Sequence, residues 1–284
     1  MQGRITKQIS NQYTVEVDGE KIVCNARGKF KNMGLSPVVG DIVEVDADNK
    51  TIEKINTRKN KLDRPVVANV DIALIVTSLK KPDLSLNLLD KLLTIVLSNN
   101  IEPIIILTKI DLVNKKDLKE YKKIFNYYEN LGIKVIPNTK LHKLKRTIQE
   151  KVVVLTGQTG AGKSTMLNKL DKSLNIETKP ISEALNRGVH TTRHTELYKI
   201  GKMYMVDTPG FSALDINILD VNKLQETFKE FKKYSCMYKD CTHNNESGCG
   251  VKKAVENGLI LKSRYDNYIN LLKVVYENSS KLYK

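Results

Sequence analysis

The chain has 284 residues, enough for two or three domains, and its 47 Lys or Arg against 32 Asp or Glu leave a formal net charge of +15. Trp is absent and aromatics make up 6%, so Leu, Ile and Val must fill the cores. No run approaches the ~18 apolar residues that span a bilayer, the amino-terminal MQGRITKQIS lacks a secretion signal's apolar stretch, and the spread of positive charge predicts a polyanionic partner, so a cytoplasmic protein with no membrane partner is expected.

Residues 1–62 read as short strands at 14–17, 21–24 and 41–45, separated by turns at Asp18-Gly19, Asn32-Met33-Gly34 and Val39-Gly40-Asp41. That pattern predicts an all-β, OB-like barrel, whose open face commonly binds nucleic acid. After a basic linker at 58–65 the period changes. Apolar strands at 70–76, 104–107, 152–155 and 203–206 alternate with helices over 84–97 and 115–131, and another helix starts after Gly162. Strands alternating with helices predict an α/β domain with a parallel sheet, over 63–220. From 221 to 284 the chain reads as mostly helical. Leu224, Phe228 and Phe231 share one face, and a last helix from about Ser263 packs Tyr265, Tyr268, Ile269, Leu272, Val275 and Tyr276.

Gly157-Gln158-Thr159-Gly160-Ala161-Gly162-Lys163-Ser164, followed by Thr165, fits GxxxxGK[ST] between an apolar strand and a helix. Glycines let backbone N–H groups wrap phosphates without Cβ clashes, and the helix start favours an anion. Lys163 would reach the β- and γ-phosphates, and Ser164 would hold Mg²⁺. About fifty residues later comes Asp207-Thr208-Pro209-Gly210, also after a strand. There Asp207 can hold Mg²⁺ through water, and the Gly210 N–H can sense a γ-phosphate. In Thr108-Lys109-Ile110-Asp111, the Asp111 carboxylate can accept the N1–H and N2–H₂ of guanine, a donor pair adenine lacks, with Lys109 along the loop and base. GTPases commonly carry Asn where Thr108 stands. The segment from Arg187 to His194 falls between phosphate loop and DTPG, the place of a switch loop, where Thr191 or Thr192 would close on Mg²⁺.

The guanine-reading motif precedes the phosphate loop, an order that a circular permutation explains without changing the sheet or the pocket. Cys236-x4-Cys241-x-His243-x5-Cys249 supplies four soft or borderline ligands within fourteen residues, the makings of a closed structural Zn²⁺ site. Cys24 stands apart and is expected in a core.

With RPVVANVD at 64–71, TKID at 108–111, GQTGAGKST at 157–165, GVHTTRHTEL at 188–197, DTPGF at 207–211, CMYKDCTHNNESGC at 236–249 and AVENGLI at 254–260, the chain resembles the RsgA (YjeQ/YloQ) circularly permuted GTPases over nearly its whole length. The resemblance implies an OB fold, a permuted G domain and a zinc domain, acting on the small (30S) ribosomal subunit late in its maturation. It implies 16S-type rRNA binding by the outer domains and hydrolysis of GTP to GDP stimulated by the subunit; nothing in the sequence demands more than a monomer. The family's Ser-Ala guanine loop reads Pro137-Asn138-Thr139-Lys140 here. Ras-type GTPases place a water-orienting Gln where Phe211 stands, so slow intrinsic turnover is expected, with His190 of the GxHT pattern as the candidate for that role beside Lys163. The rival readings are an RNA-binding assembly module using GTP as an affinity switch, and a P-loop kinase, against which TKID and DTPG both speak.

Overall fold

A computed structural model describes residues 1–63, 66–171, 196–206 and 220–282. Strands β1 (Gln2–Ile9), β2 (Gln12–Val17), β3 (Glu20–Ala26), β4 (Ile42–Asp46) and β5 (Thr51–Ile55) close into a barrel in the order β1-β2-β3-β5-β4, with the short helix α1 (Lys29–Asn32) between β3 and β4. This is the expected OB-like barrel with two more strands than the pattern predicted. The alternation of β1 is broken where its register with β2 shifts between Ile5 and Lys7. Ile5, Val15, Cys24, Val43 and Ile52 fill the interior, Cys24 as a core residue. Asp41, fully buried, accepts hydrogen bonds from Arg58 Nε and Nη2, both at 2.7 Å, and ties the linker to the barrel. A hairpin of β6 (Lys61–Asp63) and β7 (Val66–Ala68) follows and straddles residue 62.

The second sheet runs β10-β9-β8-β11-β13-β12. In chain order its elements are β8 (Ile72–Ser78), α2 (Leu86–Ser98), β9 (Glu102–Thr108), α3 (Lys115–Asn130), β10 (Lys134–Pro137), α4 (Leu141–Thr147), β11 (Val152–Gly157), α5 (Lys163–Leu170), β12 (Leu197–Ile200) and β13 (Met203–Val206). All neighbours are parallel except the β12–β13 hairpin. Strand β8 is buried along its whole length because helices cover both sheet faces. Ala73 and Ile75 pack with Leu92 and Leu93 of α2 and Phe125 of α3; Ile72, Leu74 and Val76 pack with Leu144 of α4 and Leu167 of α5. Ser85 caps α2 by accepting from the Leu88 N–H, and Asn114 caps α3 by accepting from the Asp117 N–H.

Beyond the sheet lie α6 (Val221–Thr227), a 3-10 turn at Lys229–Lys233, α7 (Gly250–Glu256) and α8 (Lys262–Leu282). Leu224, Phe228, Phe231, Tyr268, Leu272 and Val275 form a third core against Ile95 of α2. Tyr276, expected in that stripe, is 45% exposed, because the helix turns it out of the seam that holds Val275. At the seam with α2, Arg264 is 1% exposed. It donates from Nη1 to Asp90 at 2.6 Å, from Nε to Glu230 at 2.9 Å and from Nη2 to the Thr227 carbonyl at 3.3 Å. Among the described residues no helix is long and apolar enough to cross a membrane.

Candidate nucleotide and metal sites

Because β9, β10, β11 and β13 run parallel, they deliver Thr108, Pro137, Gly157 and Val206 to one edge of the sheet. The carboxyl edge is where open α/β sheets bind ligands, in the loops that follow the strands. The permutation leaves this convergence untouched, since it depends on strand order in space and not in sequence.

The phosphate-type loop starts on Gly157, with φ of +130°, paired alongside Val76 of β8. A Cβ there would overlap the Val76 carbonyl oxygen, so no other residue lets β11 turn into the loop at this closeness. Gly162, at φ +94°, leads into α5 as its N-cap. Thr159, Gly160 and Thr165 are exposed, Gln158 and Ser164 partly so, and Ala161 is buried. The loop therefore presents its backbone and the start of α5 outward. Lys163 curls back over it, donating to the carbonyls of Gly157 at 2.8 Å and Gln158 at 2.9 Å. Burial pushes the Lys163 ammonium below the ordinary lysine range, so a phosphate anion at this mouth would both satisfy it and favour its charged form.

Thr108 ends β9 at 2% exposure and donates its hydroxyl to the Ala161 carbonyl at 2.6 Å, joining the guanine-type motif to the phosphate-type loop. Lys109, in the left-handed region at φ +55°, reaches the same loop: its Nζ donates to Gly160 O at 2.8 Å and to Lys81 O. Asp111 sits in a 3-10 turn, Ile110–Leu112, with its side chain exposed at the rim. The Asn138 N–H donates to Leu107 O at 2.8 Å, which seats the Pro137–Lys140 loop beside it. Sequence reasoning assigned nothing to the stretch after β8, although it lines this edge through Lys81. The signal was available, because β8 ends on the same edge as β9 and β11.

Of the remaining sequence-predicted residues, His190, Thr191, Thr192, Asp207 and Gly210 lie outside the described residues, as does Phe211. The described β12–β13 hairpin runs between those two segments. It is held to the barrel by Glu16, which accepts from Lys199 Nζ at 2.9 Å and the Tyr204 hydroxyl at 3.0 Å, and by Lys7–Glu196 at 2.8 Å. Burial would raise the Glu16 carboxyl, but the hydrogen bonds from Lys199 and Tyr204 and the charges of Lys199 and Lys21 outweigh it and hold it below the usual range.

In the carboxy-terminal part, the ligand atoms of Cys236, Cys241, His243 and Cys249 all lie within 4.8 Å of one another. His243 Nδ1 is 3.5 Å from the Sγ of both Cys236 and Cys249, and those two sulfurs are 3.8 Å apart. The loop is braced from outside. Glu246 accepts from the Thr242 N–H and hydroxyl at 2.7 Å and from the Asn244 N–H at 2.8 Å. Burial opposes its ionisation, yet these hydrogen bonds bring its pKa down to about 2. Tyr265 and Tyr268 donate to the carbonyls of His243 and Thr242 at 2.7 and 2.6 Å, and Phe231 meets the His243 ring edge-on at 5.3 Å. Four convergent donors, braced this way, can hold one metal ion.

A family model described as the RsgA GTPase matches residues 53–217, and one described as the RsgA N-terminal domain matches residues 2–54. The small ribosomal subunit biogenesis GTPase RsgA of Staphylococcus saprophyticus is 42% identical over 281 residues, covering 96% of this chain and 97% of its own. The protein of the same name from Clostridium botulinum (strain Loch Maree / Type A3) is 45% identical over 285 residues, covering 96% and 97%. Among solved structures, YjeQ from Thermotoga maritima matches with a TM-score of 0.82 at 35% identity over 97% of this chain and 98% of that one. YloQ, a circularly permuted GTPase, matches with a TM-score of 0.80 at 30% identity over 97% and 95%.

Proposed function

The chain belongs to the RsgA GTPase family, and from that premise we propose that it binds the small ribosomal subunit in the cytoplasm, as a monomer, and hydrolyses GTP to GDP and phosphate there to assist late maturation. The observation that carries the reading is the Thr108–Ala161 hydrogen bond, which fixes a guanine-reading loop against a phosphate-binding loop at the carboxyl edge of one sheet.

In this reading Asp111 accepts the two guanine donors, with Thr108 and Lys109 holding its loop. The backbone from Gly157 to Gly162 and the start of α5, with Ser164 and Thr165, take the phosphates, Lys163 leaves its two carbonyl partners for the β- and γ-oxygens, and Gly210 senses the γ-phosphate. Water attacks the γ-phosphorus, the bond to the β–γ bridging oxygen breaks, and GDP leaves with that electron pair. Ser164, Asp207 and Thr191 or Thr192 would hold magnesium, which would supply positive charge against the charge building on the phosphates. His190 orients the water once the ribosome completes the site, in place of the side chain Phe211 lacks.

The metal is read as structural zinc. Zinc would be held by Cys236, Cys241, His243 and Cys249: tetrahedral bonds of about 2.3 Å to sulfur and about 2.0 Å to nitrogen put sulfurs about 3.8 Å apart and sulfur and nitrogen about 3.5 Å apart, the spacings Cys236, His243 and Cys249 have, with Cys241 inside the same 4.8 Å cluster. No fourth position is left for a substrate. The division into an rRNA-binding barrel at 1–62, a G domain at 63–220 and a zinc domain at 221–284 belongs to the same proposal, with 16S-type rRNA as the partner of the outer two.

The test is GTP hydrolysis with and without purified small subunits, with ATP and large subunits as controls. Stimulation by the small subunit and GTP alone is expected. Nucleotide-dependent binding without stimulation would replace the enzyme reading by an affinity switch, and absence of binding would sink the ribosomal partner.

A further inference from the structure

From Lys115 to Lys151 the chain carries eleven Lys or Arg against four Asp or Glu, a surplus of seven in 37 residues of a protein whose whole surplus is fifteen. All eleven basic side chains are exposed. Only Lys123, with Glu120, and Lys134, with Glu102, make an ion pair among the described residues. Solvated lysine surfaces of ordinary proteins interleave both signs, and the self-repulsion of a one-signed surface is relieved when a polyanion covers it.

The fold gathers these charges. Among the described residues, strand β10 is the outer strand of the sheet and pairs only with β9. Helix α3 packs against it from the face that holds Phe125 and Ala73, and α4 from the face that holds Leu144 and Leu74. On α3, Lys115, Lys119 and Lys122 fall at i, i+4 and i+7, one stripe turned away from the buried Phe125 and Tyr128. On α4, Lys143, Lys145 and Arg146 are exposed while Leu141 and Leu144 face the core. Both helices that bracket the β10 edge thus present cations outward, and neither belongs to the barrel or the zinc domain.

We propose that this β10 edge, with α3 and α4, is a binding surface for the phosphate backbone of double-stranded RNA. Ten of the eleven cations are lysines, point charges that neutralise phosphates without the bidentate fork that reads guanine edges or carboxylates. The aromatic side chains of α3, Phe125 and Tyr128, are buried and Tyr121 and Tyr127 partly so, and the His142 imidazole on α4 is the one exposed ring of the surface, too little for a platform on which successive unpaired bases would stack. Duplex backbone is therefore the form of RNA the surface fits. This rests on the ribosomal function proposed above, in which RNA lies on the outer domains; here the nucleotide domain itself holds an RNA helix, on the element that starts four residues after Asp111.

The test uses the full chain and two variants, K115Q/K119Q/K122Q and K143Q/K145Q/R146Q, singly and combined. Affinity is measured for an RNA duplex of about 20 base pairs and for purified small subunits, from roughly 50 to 300 mM KCl. In the combined variant, duplex affinity should fall at least about tenfold and the slope of log K against log salt should flatten by about three or more, since each lost phosphate contact removes somewhat less than one released counterion. Thermal unfolding and RNA-free GTP hydrolysis should match the parent, and if the combined variant is unstable either triple variant should show about half the change in slope. Unchanged duplex affinity and slope in a folded variant would overturn the proposal. Loss of subunit binding with duplex binding intact would hand the edge to a ribosomal protein and overturn it equally. A parent chain that binds duplex through these lysines but ignores small subunits would sink the ribosomal reading while leaving the RNA edge standing.

Discussion

The hydroxyl of Thr108 donates to the carbonyl oxygen of Ala161 at 2.6 Å, across 53 residues of sequence, with both residues buried. A motif position commonly filled by an amide is served here by a hydroxyl, because the two loops are close enough for the shorter side chain. Thr108→Val keeps the shape and strands a buried acceptor, a loss of about 1–3 kcal/mol. GDP affinity should weaken by about tenfold, an effect of about 1.4 kcal/mol, while Thr108→Asn should retain more of it. Urea unfolding and nucleotide titration of the three proteins measure both.

Glu16 should make stability depend on pH. Its carboxyl is held below the ordinary value of 4.5 in the folded chain, with burial overcome by Lys199 and Tyr204. A depressed carboxylate stabilises the fold fully above its unfolded pKa, and that contribution is lost as pH falls through the folded one. Glu16→Gln should cost about 1–2 kcal/mol at neutral pH, as expected for a hydrogen bond to a charged group. The gap to the parent should hold down to about pH 5 and close as pH drops below the ordinary carboxylate range. Urea midpoints at several pH values read it directly.

Arg264 holds Asp90 and Glu230 together where all three are nearly inaccessible, and its guanidinium lies 4.0 Å over the Phe228 ring. Arg264→Ala would leave two buried carboxylates without their cation, a loss of about 3–5 kcal/mol. Arg264→Lys should recover only part, since one ammonium cannot span Asp90, Glu230 and the Thr227 carbonyl from three nitrogens. Denaturant unfolding of both variants distinguishes charge from geometry.

Metal removal should loosen the third core, because Phe231 and Tyr268 pack on the His243 ring. Purified protein should contain one zinc per chain by elemental analysis, and Cys249→Ser should lower that content. Chelation should lower the melting temperature and raise proteolysis within 236–256 while GDP binding, more remote, changes little. Full stability and intact 236–256 after complete zinc removal would refute a structural role for the metal.

What the sequence determined by itself is whatever is written in contiguous residues. The eight residues from Gly157 to Ser164 carry their glycines, lysine and serine in one loop, and the apolar runs at 70–76 and 104–107 announce strands covered on both faces, the first starting at Ile72 because Asp71 breaks the run. The Cys/His spacing needs only a short loop to converge. The strands it missed include β1, where a register shift breaks the alternation, and β10 and β12, each with a lysine among its four residues where the equally short β13 is a continuous apolar run. The tertiary structure alone decided the partners: Thr108 for Ala161, Glu16 for a hairpin 188 residues on, and Arg264 for an aspartate 174 residues before it. No local pattern selects such pairs, because a polar group is driven to a particular partner only once folding has stripped both of water, and burial is a property of the assembled molecule.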